Sequence, residues 1–185
     1  AKALADERGA DTETALQSGQ LIHLLLEHLP TRPESDWPVL AANLLSTTNQ
    51  ACGGGDTAAL LAEATALLTK PDLRRIFTTE ALAEVDVSAD LPSLGGRRIH
   101  GTIDRLVIDK AEVLAIDFKS NVAVPSEVAH CPEGILRQMA AYAEALQQIY
   151  PDHKITMAIL WTKTATLMSF PDILLSDALS RADVS

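Results

Sequence analysis

The stretch GTIDRLVIDKAEVLAIDFK, residues 101–119, decides the fold. Its alternating pattern predicts two β-strands joined by a turn at residues 109–112. If the turn is centred between Lys110 and Ala111, the residue numbers of each opposing pair sum to 221. Apolar residues of one strand then lie opposite apolar residues of the other. Asp104 falls opposite Asp117 in this register, with Cβ atoms roughly 5 Å apart on one face. Two facing carboxylates repel each other, so the hairpin predicts a cation between them.

The chemistry of the donors indicates which cation. Ligands that are all oxygen suit Mg²⁺ or Mn²⁺ rather than zinc. Lys119 follows Asp117 by two residues on the same face, where its amine suits orienting or deprotonating a water that attacks a phosphodiester. The alternative is an ordinary solvated face on which the lysine only neutralises the acids. Gly101 either lets a phosphate backbone come close or marks a β-bulge.

Composition limits the class of protein. The chain has 185 residues, of which 47% are hydrophobic, and this fits one domain with a real core. The sequence contains neither an apolar run long enough to span a membrane nor a secretion signal, so we expect a cytoplasmic setting without membrane association. Two cysteines are too few for a disulfide framework, a four-thiolate zinc site or an iron–sulfur cluster. The polar start without Met indicates a piece cut from a longer polypeptide.

The net charge of −10 argues against a free-standing nucleic-acid binder, which usually has a basic surface. Most of the excess acid lies in residues 1–94, whereas residues 95–185, which hold the hairpin, carry 9 Lys/Arg against 11 Asp/Glu. An acidic domain can still act on DNA if a larger partner delivers the strand to it.

The rest of the chain alternates between helical and strand patterns. Helices are predicted at 14–29, 37–49, 57–69, 72–77, 133–149 and 177–181, with a loop at Cys52–Asp56. Strands are predicted around Val85–Val87, at Arg98–Ile108, Glu112–Phe118, Ile155–Trp161 and Ala165–Phe170. This order predicts an α/β fold: a mixed central sheet flanked by helices, with a helical cap at the amino end.

Asp104, twelve further residues and then Asp117-Phe118-Lys119 resemble the core of PD-(D/E)XK nucleases. The surrounding sequence is similar to the nuclease domain of RecB-like helicase–nucleases, and most similar to that of the AddA subunit in AddAB-type enzymes. Four further blocks in family order carry this resemblance: Gly19-Gln20-Leu21-Ile22-His23, Ala83-Glu84-Val85, Gly101 to Arg105, and Gln138 to Tyr142. The resemblance implies one nuclease domain over residues 1–185, with a helical cap at about 14–80 and a catalytic α/β core at about 81–185.

Roles for single residues follow from the resemblance alone. It implies that Asp104 and Asp117 bind the metal and that Lys119 is the essential lysine. His23 matches a histidine of the first helix that contributes to the metal site. Glu84 matches the acid that supports the metal or its water, a role for which Glu80 is a rival.

Three further residues are expected to support the site. Gln138 and Tyr142 are four apart and so share one face of a helix. In the family this pair borders the site and helps to place the DNA or the lysine; without the resemblance, Tyr142 would be a core residue and Gln138 its polar neighbour. Arg105 is a candidate phosphate contact, although arginines near strand ends are usually just solvated.

The resemblance implies a Mg²⁺-dependent DNA exonuclease domain, with Mn²⁺ as a possible substitute and no iron–sulfur cluster. Its partners would be a fused helicase that delivers single-stranded DNA during double-strand break repair and recombination, and an AddB-like subunit. One alternative is a non-catalytic docking domain that binds a partner subunit or a recombinase. Another is a stand-alone restriction or junction-resolving nuclease, which the helical region before Glu84 disfavours.

Overall fold

The computed structural model describes residues 2–52, 57–120 and 123–182. Within these ranges the helices are α1 Lys2–His28, α2 Trp37–Cys52, α3 Thr57–Thr69, α4 Glu133–Ile149 and α5 Asp172–Ala182. The strands are β1 Leu82–Leu91, β2 Arg97–Ile108, β3 Glu112–Lys119, β4 Lys154–Trp161 and β5 Thr166–Ser169. A 3-10 helix, Pro71–Phe77, replaces the short helix predicted at 72–77. Of the predicted loop, residues 53–56 lie outside the described ranges.

The described residues divide into two compact units. The first holds residues 2–52 and 57–79 with the short segments 118–120 and 161–165, and the second holds 80–117, 123–160 and 166–182. The predicted division into a helical cap and an α/β core stays a prediction.

Helices α1, α2 and α3 pack against one another in the first unit. The predicted apolar stripe of α1 is buried, because Ile22, Leu25 and Leu26 have at most 1% of their surface exposed. The helix itself begins at Lys2, twelve residues before its predicted start. Residues 2–13 have no apolar period, but Ala, Glu, Lys and Arg in this segment favour helix by intrinsic propensity.

The five strands form one sheet in the order β1-β2-β3-β4-β5. Strands β1, β2 and β3 are antiparallel neighbours. The amide of Lys154 donates to the carbonyl of Ala111, and the amide of Thr162 donates to the carbonyl of Lys119. The two residues of each pair are separated by the same number of positions in the sequence, so β4 runs parallel to β3. A parallel pair needs a crossover connection, and α4 provides it. The sheet is therefore mixed, as predicted.

The register predicted for the central hairpin is confirmed over its apolar part. Arg105 pairs with Ile116 and Ile108 with Val113, and the residues between them follow the same register. The turn is closed by Asp109, whose carboxylate accepts the amide hydrogens of Ala111 and Glu112. A short polar side chain that bonds the backbone two and three residues ahead is typical of such turns.

Helix α4 has the predicted bounds, and it packs against β1 and α5 in the second unit. Met139, Tyr142 and Leu146 are buried as expected, whereas Ile149 at its end is half-exposed. Helix α5 begins at Asp172, five residues before its predicted start, directly after Pro171. Proline before an acidic first turn is a start signal that the apolar pattern did not reveal. None of the helices in the described ranges has the length and apolarity to cross a membrane.

Candidate active site

The acid pair that the structure brings together is Glu84 with Asp104. Strands β1 and β2 keep one register on both sides of Glu84, so this residue lies opposite Asp104. A carboxylate oxygen of each lies within 4.8 Å of one of the other. Glu84 is exposed and Asp104 is half-buried, so the pair is open to a ligand from solvent. The rival acid Glu80 lies in the turn before β1.

Glu84 occupies a strained backbone conformation. Its φ is 48°, in the left-handed region, although the residue lies inside a strand. A residue with a Cβ rarely adopts this conformation, and holding it costs about 1–3 kcal/mol. Such strain persists where the surrounding structure imposes it, and it is concentrated at functional sites.

Asp117 lies near the end of β3 with 6% of its surface exposed. Its Oδ1 accepts a long hydrogen bond of 3.4 Å from Nε2 of Gln138 on α4. The same amide nitrogen donates to the hydroxyl of Tyr142, also at 3.4 Å. Gln138 and Tyr142 are one helical turn apart, as predicted, and they share the face of α4 that reaches Asp117. A buried carboxylate needs such donors, because burial without them is costly.

The space above Gly101 is occupied by the ring of Tyr142. A Cβ at position 101 would lie 2.1 Å from the Tyr142 hydroxyl oxygen. The tyrosine therefore fills the space on the Cβ side of Gly101, and the approach of a phosphate backbone to this glycine stays a prediction. The alternative of a bulge is wrong, since β1 and β2 pair without a break in register from Val85 to Leu91.

Lys119 follows Asp117 but belongs to the first unit, together with its neighbours Phe118 and Ser120. The ring of Phe118 meets the ring of His23 edge-on, with centroids 5.5 Å apart. One turn earlier on α1, Gly19 lies so close to Ser120 that a Cβ would meet the serine hydroxyl at 2.5 Å. The face of α1 that carries Gly19 and His23 therefore packs against the residues on both sides of Lys119.

A family model described as "PD-(D/E)XK nuclease superfamily" matches residues 2–175. The chain belongs to the PD-(D/E)XK nuclease superfamily. A comparison with curated proteins finds no match. Among solved structures, one described as "Crystal structure of SSO0001" shares 14% identity over 88% of this chain and 73% of that chain, with a TM-score of 0.35. A likeness at this level supports no inference about function.

Within this PD-(D/E)XK member, Arg105 departs from expectation. The sequence suggested a solvated arginine or a phosphate contact, but only 3% of the residue is exposed. Because the residue points into protein, contact with a phosphate in solution would require rearrangement. Its support of the site stays a prediction.

The prediction that Asp104 lies opposite Asp117 across the hairpin also stays a prediction. The paired residues of β2 and β3 run from Arg105 with Ile116 to Ile108 with Val113, so the two aspartates lie one step beyond the last of these pairs. Sequence reasoning named Glu84, Asp104 and Asp117, but it missed two features, the left-handed backbone of Glu84 and the contact of Gly101 with Tyr142. Neither feature has a signal in composition or periodicity.

The residues present fit a hard divalent cation of the kind PD-(D/E)XK nucleases typically use. The donors of the pair are all carboxylate oxygens, and their separation of up to 4.8 Å is near the span that one ion with bonds of about 2.1 Å can bridge. Mg²⁺ and Mn²⁺ are commonly bound by such carboxylate oxygens.

Proposed function

We propose that this chain is a Mg²⁺-dependent deoxyribonuclease domain that hydrolyses phosphodiester bonds, with Mn²⁺ as a substitute ion. The observation that carries the proposal is the close pair of Glu84 and Asp104 in a chain of the PD-(D/E)XK nuclease superfamily. The left-handed backbone of Glu84 supports the proposal, because such strain is concentrated at functional sites.

The proposed roles of the site residues follow from their chemistry. Glu84, Asp104 and Asp117 would hold the ion, and His23 would complete its ligands as the family resemblance implies. When bound, the ion would supply Lewis acidity toward a phosphoryl oxygen and acidify a water. Lys119 would orient or deprotonate the attacking water, and its ammonium form would offset the charge on the phosphoryl oxygens. Gln138 and Tyr142 would support Asp117.

We further propose that the domain receives single-stranded DNA from a fused helicase, as an exonuclease in double-strand break repair alongside an AddB-like partner subunit. The charge of the chain supports delivery by a motor, because a net charge of −10 gives little affinity for DNA by itself. A tethered motor raises the local concentration of the strand, so the domain would need little affinity of its own.

The proposal is tested with Asp117→Asn and Lys119→Ala on a labelled single-stranded oligonucleotide in Mg²⁺ or Mn²⁺. We expect each change to lower the rate of cleavage at least about 100-fold, because each removes a group that acts on the transition state. Asp152→Asn and Lys110→Ala are matched controls, since both residues are exposed and lie in turns away from the candidate site. Both controls should cleave at the rate of the original chain.

Full cleavage by folded Asp117→Asn or Lys119→Ala would contradict the assignment of the site. Absence of cleavage by the original chain in both ions would contradict the proposed activity. Absence of Mn²⁺ binding in a calorimetric titration as well would favour a docking role. Circular dichroism and thermal unfolding of each variant distinguish loss of function from loss of fold.

A further inference from the structure

We propose that Gly101 is a positioning residue: it makes room for the Tyr142 hydroxyl, and Tyr142 with Gln138 then holds the Asp117 carboxylate in place. The proposal deepens the proposed function and rests on it for the purpose of Asp117. Its structural basis lies wholly in the second unit.

Gly101 is required by space rather than by backbone conformation. Among the described glycines, those with positive φ are Gly95 and Gly96, so Gly101 adopts a backbone that any residue can adopt. A glycine inside a strand costs stability because it contributes no side-chain packing and loses more chain entropy on folding. The compensating reason is Tyr142, whose hydroxyl oxygen, Cζ and Cε1 lie 2.1, 2.7 and 2.8 Å from the position of a Cβ. No side chain larger than hydrogen fits beneath the ring in this position.

The hydroxyl end of Tyr142 is the part that touches Gly101, and it is also the part that contacts Gln138. A primary amide nitrogen carries two hydrogens, so Nε2 of Gln138 can serve Tyr142 and Asp117 at the same time. Both bonds are 3.4 Å long, near the limit for such bonds. A small displacement of the tyrosine hydroxyl or of the amide is therefore enough to break either bond.

Adding a methyl group at position 101 would move the end of the ring by about 1 Å or more, because non-bonded carbon atoms approach to about 3.5–4.0 Å. Tyr142 is 8% exposed, so packed neighbours limit its alternative positions. The displacement would therefore pass to Gln138 and loosen its bond to Asp117. Loss of a group that orients a metal ligand typically lowers metal affinity 10–100-fold.

The first experiment compares Gly101→Ala with Gly134→Ala, a matched control on α4 where an added Cβ meets nothing within 4 Å. Two quantities are measured: the side-chain amide signals of Gln138 by ¹⁵N NMR, assigned from their absence in Gln138→Met, and the affinity for Mn²⁺ by calorimetry. We expect Gly101→Ala to shift the amide signals and weaken Mn²⁺ binding about 10-fold or more. The control should leave both unchanged. If Gly101→Ala does not fold, Tyr142→Phe, which removes only the hydroxyl, should shift the same signals.

A double-mutant cycle separates positioning from general damage to packing. In the Gln138→Met background, Gly101→Ala should still lower the melting temperature but should weaken Mn²⁺ binding no further, because the group that transmits the displacement is absent. In the Tyr142→Ala background it should change neither quantity, because the ring that clashes has been removed. The same weakening of Mn²⁺ binding in the Gln138→Met background as in the original chain would overturn the proposal. Unchanged Gln138 signals in folded Gly101→Ala would also overturn it.

The amide signals need neither metal nor DNA, so they test the positioning of Gln138 independently of the activity. If the original chain binds Mn²⁺ but cleaves no DNA, the proposed function fails while both readouts of the positioning remain valid. If it binds no Mn²⁺, the amide signals alone still support or overturn the contact between Gly101, Tyr142 and Gln138.

Discussion

Glu84 lies in the candidate active site in a backbone conformation that lowers the stability of the fold. Its left-handed φ of 48° is unfavourable for any residue with a Cβ, yet it occurs where the carboxylate meets that of Asp104. Glu84 is therefore unfavourable for folding for two reasons: its backbone is strained, and its carboxylate is repelled by that of Asp104. A bound cation would relieve the repulsion but not the strain.

At the residue scale we predict that Glu84→Gly weakens metal binding but relieves the strain of the backbone. Glu84→Gly and Glu84→Gln both remove the carboxylate, so both should weaken Mn²⁺ binding in calorimetry. Only glycine relieves the left-handed backbone, so Glu84→Gly should be about 1 kcal/mol more stable than Glu84→Gln in urea unfolding. Equal stability of the two variants would show that the backbone of Glu84 is not strained in solution.

At the scale of elements, helix α1 and the end of β3 are held together in the first unit. Gly19 and His23 lie one turn apart on α1 and contact Ser120 and Phe118. Phe118 also packs against Phe77 at the end of the 3-10 helix, with ring centroids 6.0 Å apart. The backbone of Lys119 is thus supported on both sides, and its carbonyl accepts the amide of Thr162.

Helices α4 and α5 are joined in the second unit by an ion pair between Glu133 and Arg181. Two hydrogen bonds of 3.1 Å from Arg181, and a weaker one from Arg137, lower the pKa of the Glu133 carboxyl below its ordinary value of 4.5. A carboxyl group whose pKa is lower in the folded state stabilises the fold at neutral pH. This contribution is lost as the pH falls through the folded-state pKa.

We therefore predict a pH-dependent effect of Glu133→Gln. At pH 7 the substitution should lower the melting temperature slightly, because exposed ion pairs contribute little. The difference from the original chain should disappear as the pH falls through the folded-state pKa of Glu133, which lies below 4.5. The control is Glu127→Gln, an exposed glutamate before α4, for which we expect no change at either pH. A difference between Glu133→Gln and the original chain that persists at low pH would contradict the electrostatic explanation.

At the scale of the whole molecule, an ion bound at the candidate site should make the stability of the fold depend on divalent ions. A ligand that binds only the folded state at 100 times its Kd stabilises it by about 2.7 kcal/mol. We expect Mn²⁺ to raise the urea midpoint of the chain and EDTA to reverse the effect. Asp104→Asn should lose most of this gain. An equal gain in that variant would show that Mn²⁺ acts by screening the net charge of −10 rather than by binding at the site.

Much of the fold could be predicted because its signals are local. Alternation and the turn residues were enough for the hairpin register, and apolar spacing with a following proline was enough for the bounds of α4. The starts of α1 and α5 were missed because helix propensity and a Pro-Asp start signal act without an apolar period. The candidate residues of the site came from the spacing of Asp104, Asp117 and Lys119 and from the family resemblance, and their roles stay predictions.

The sequence by itself determined the α/β class and the central hairpin, because periodicity and turn signals are properties of neighbouring residues. Its motifs, taken together, indicated the nuclease superfamily by resemblance, and the family model agrees. Only the tertiary structure decided that Glu84 lies beside Asp104 through a left-handed backbone and that Gly101 accommodates Tyr142. Both contacts join residues at least 20 positions apart. Their geometry depends on how strands and helices pack in three dimensions, and no local preference of the chain specifies it.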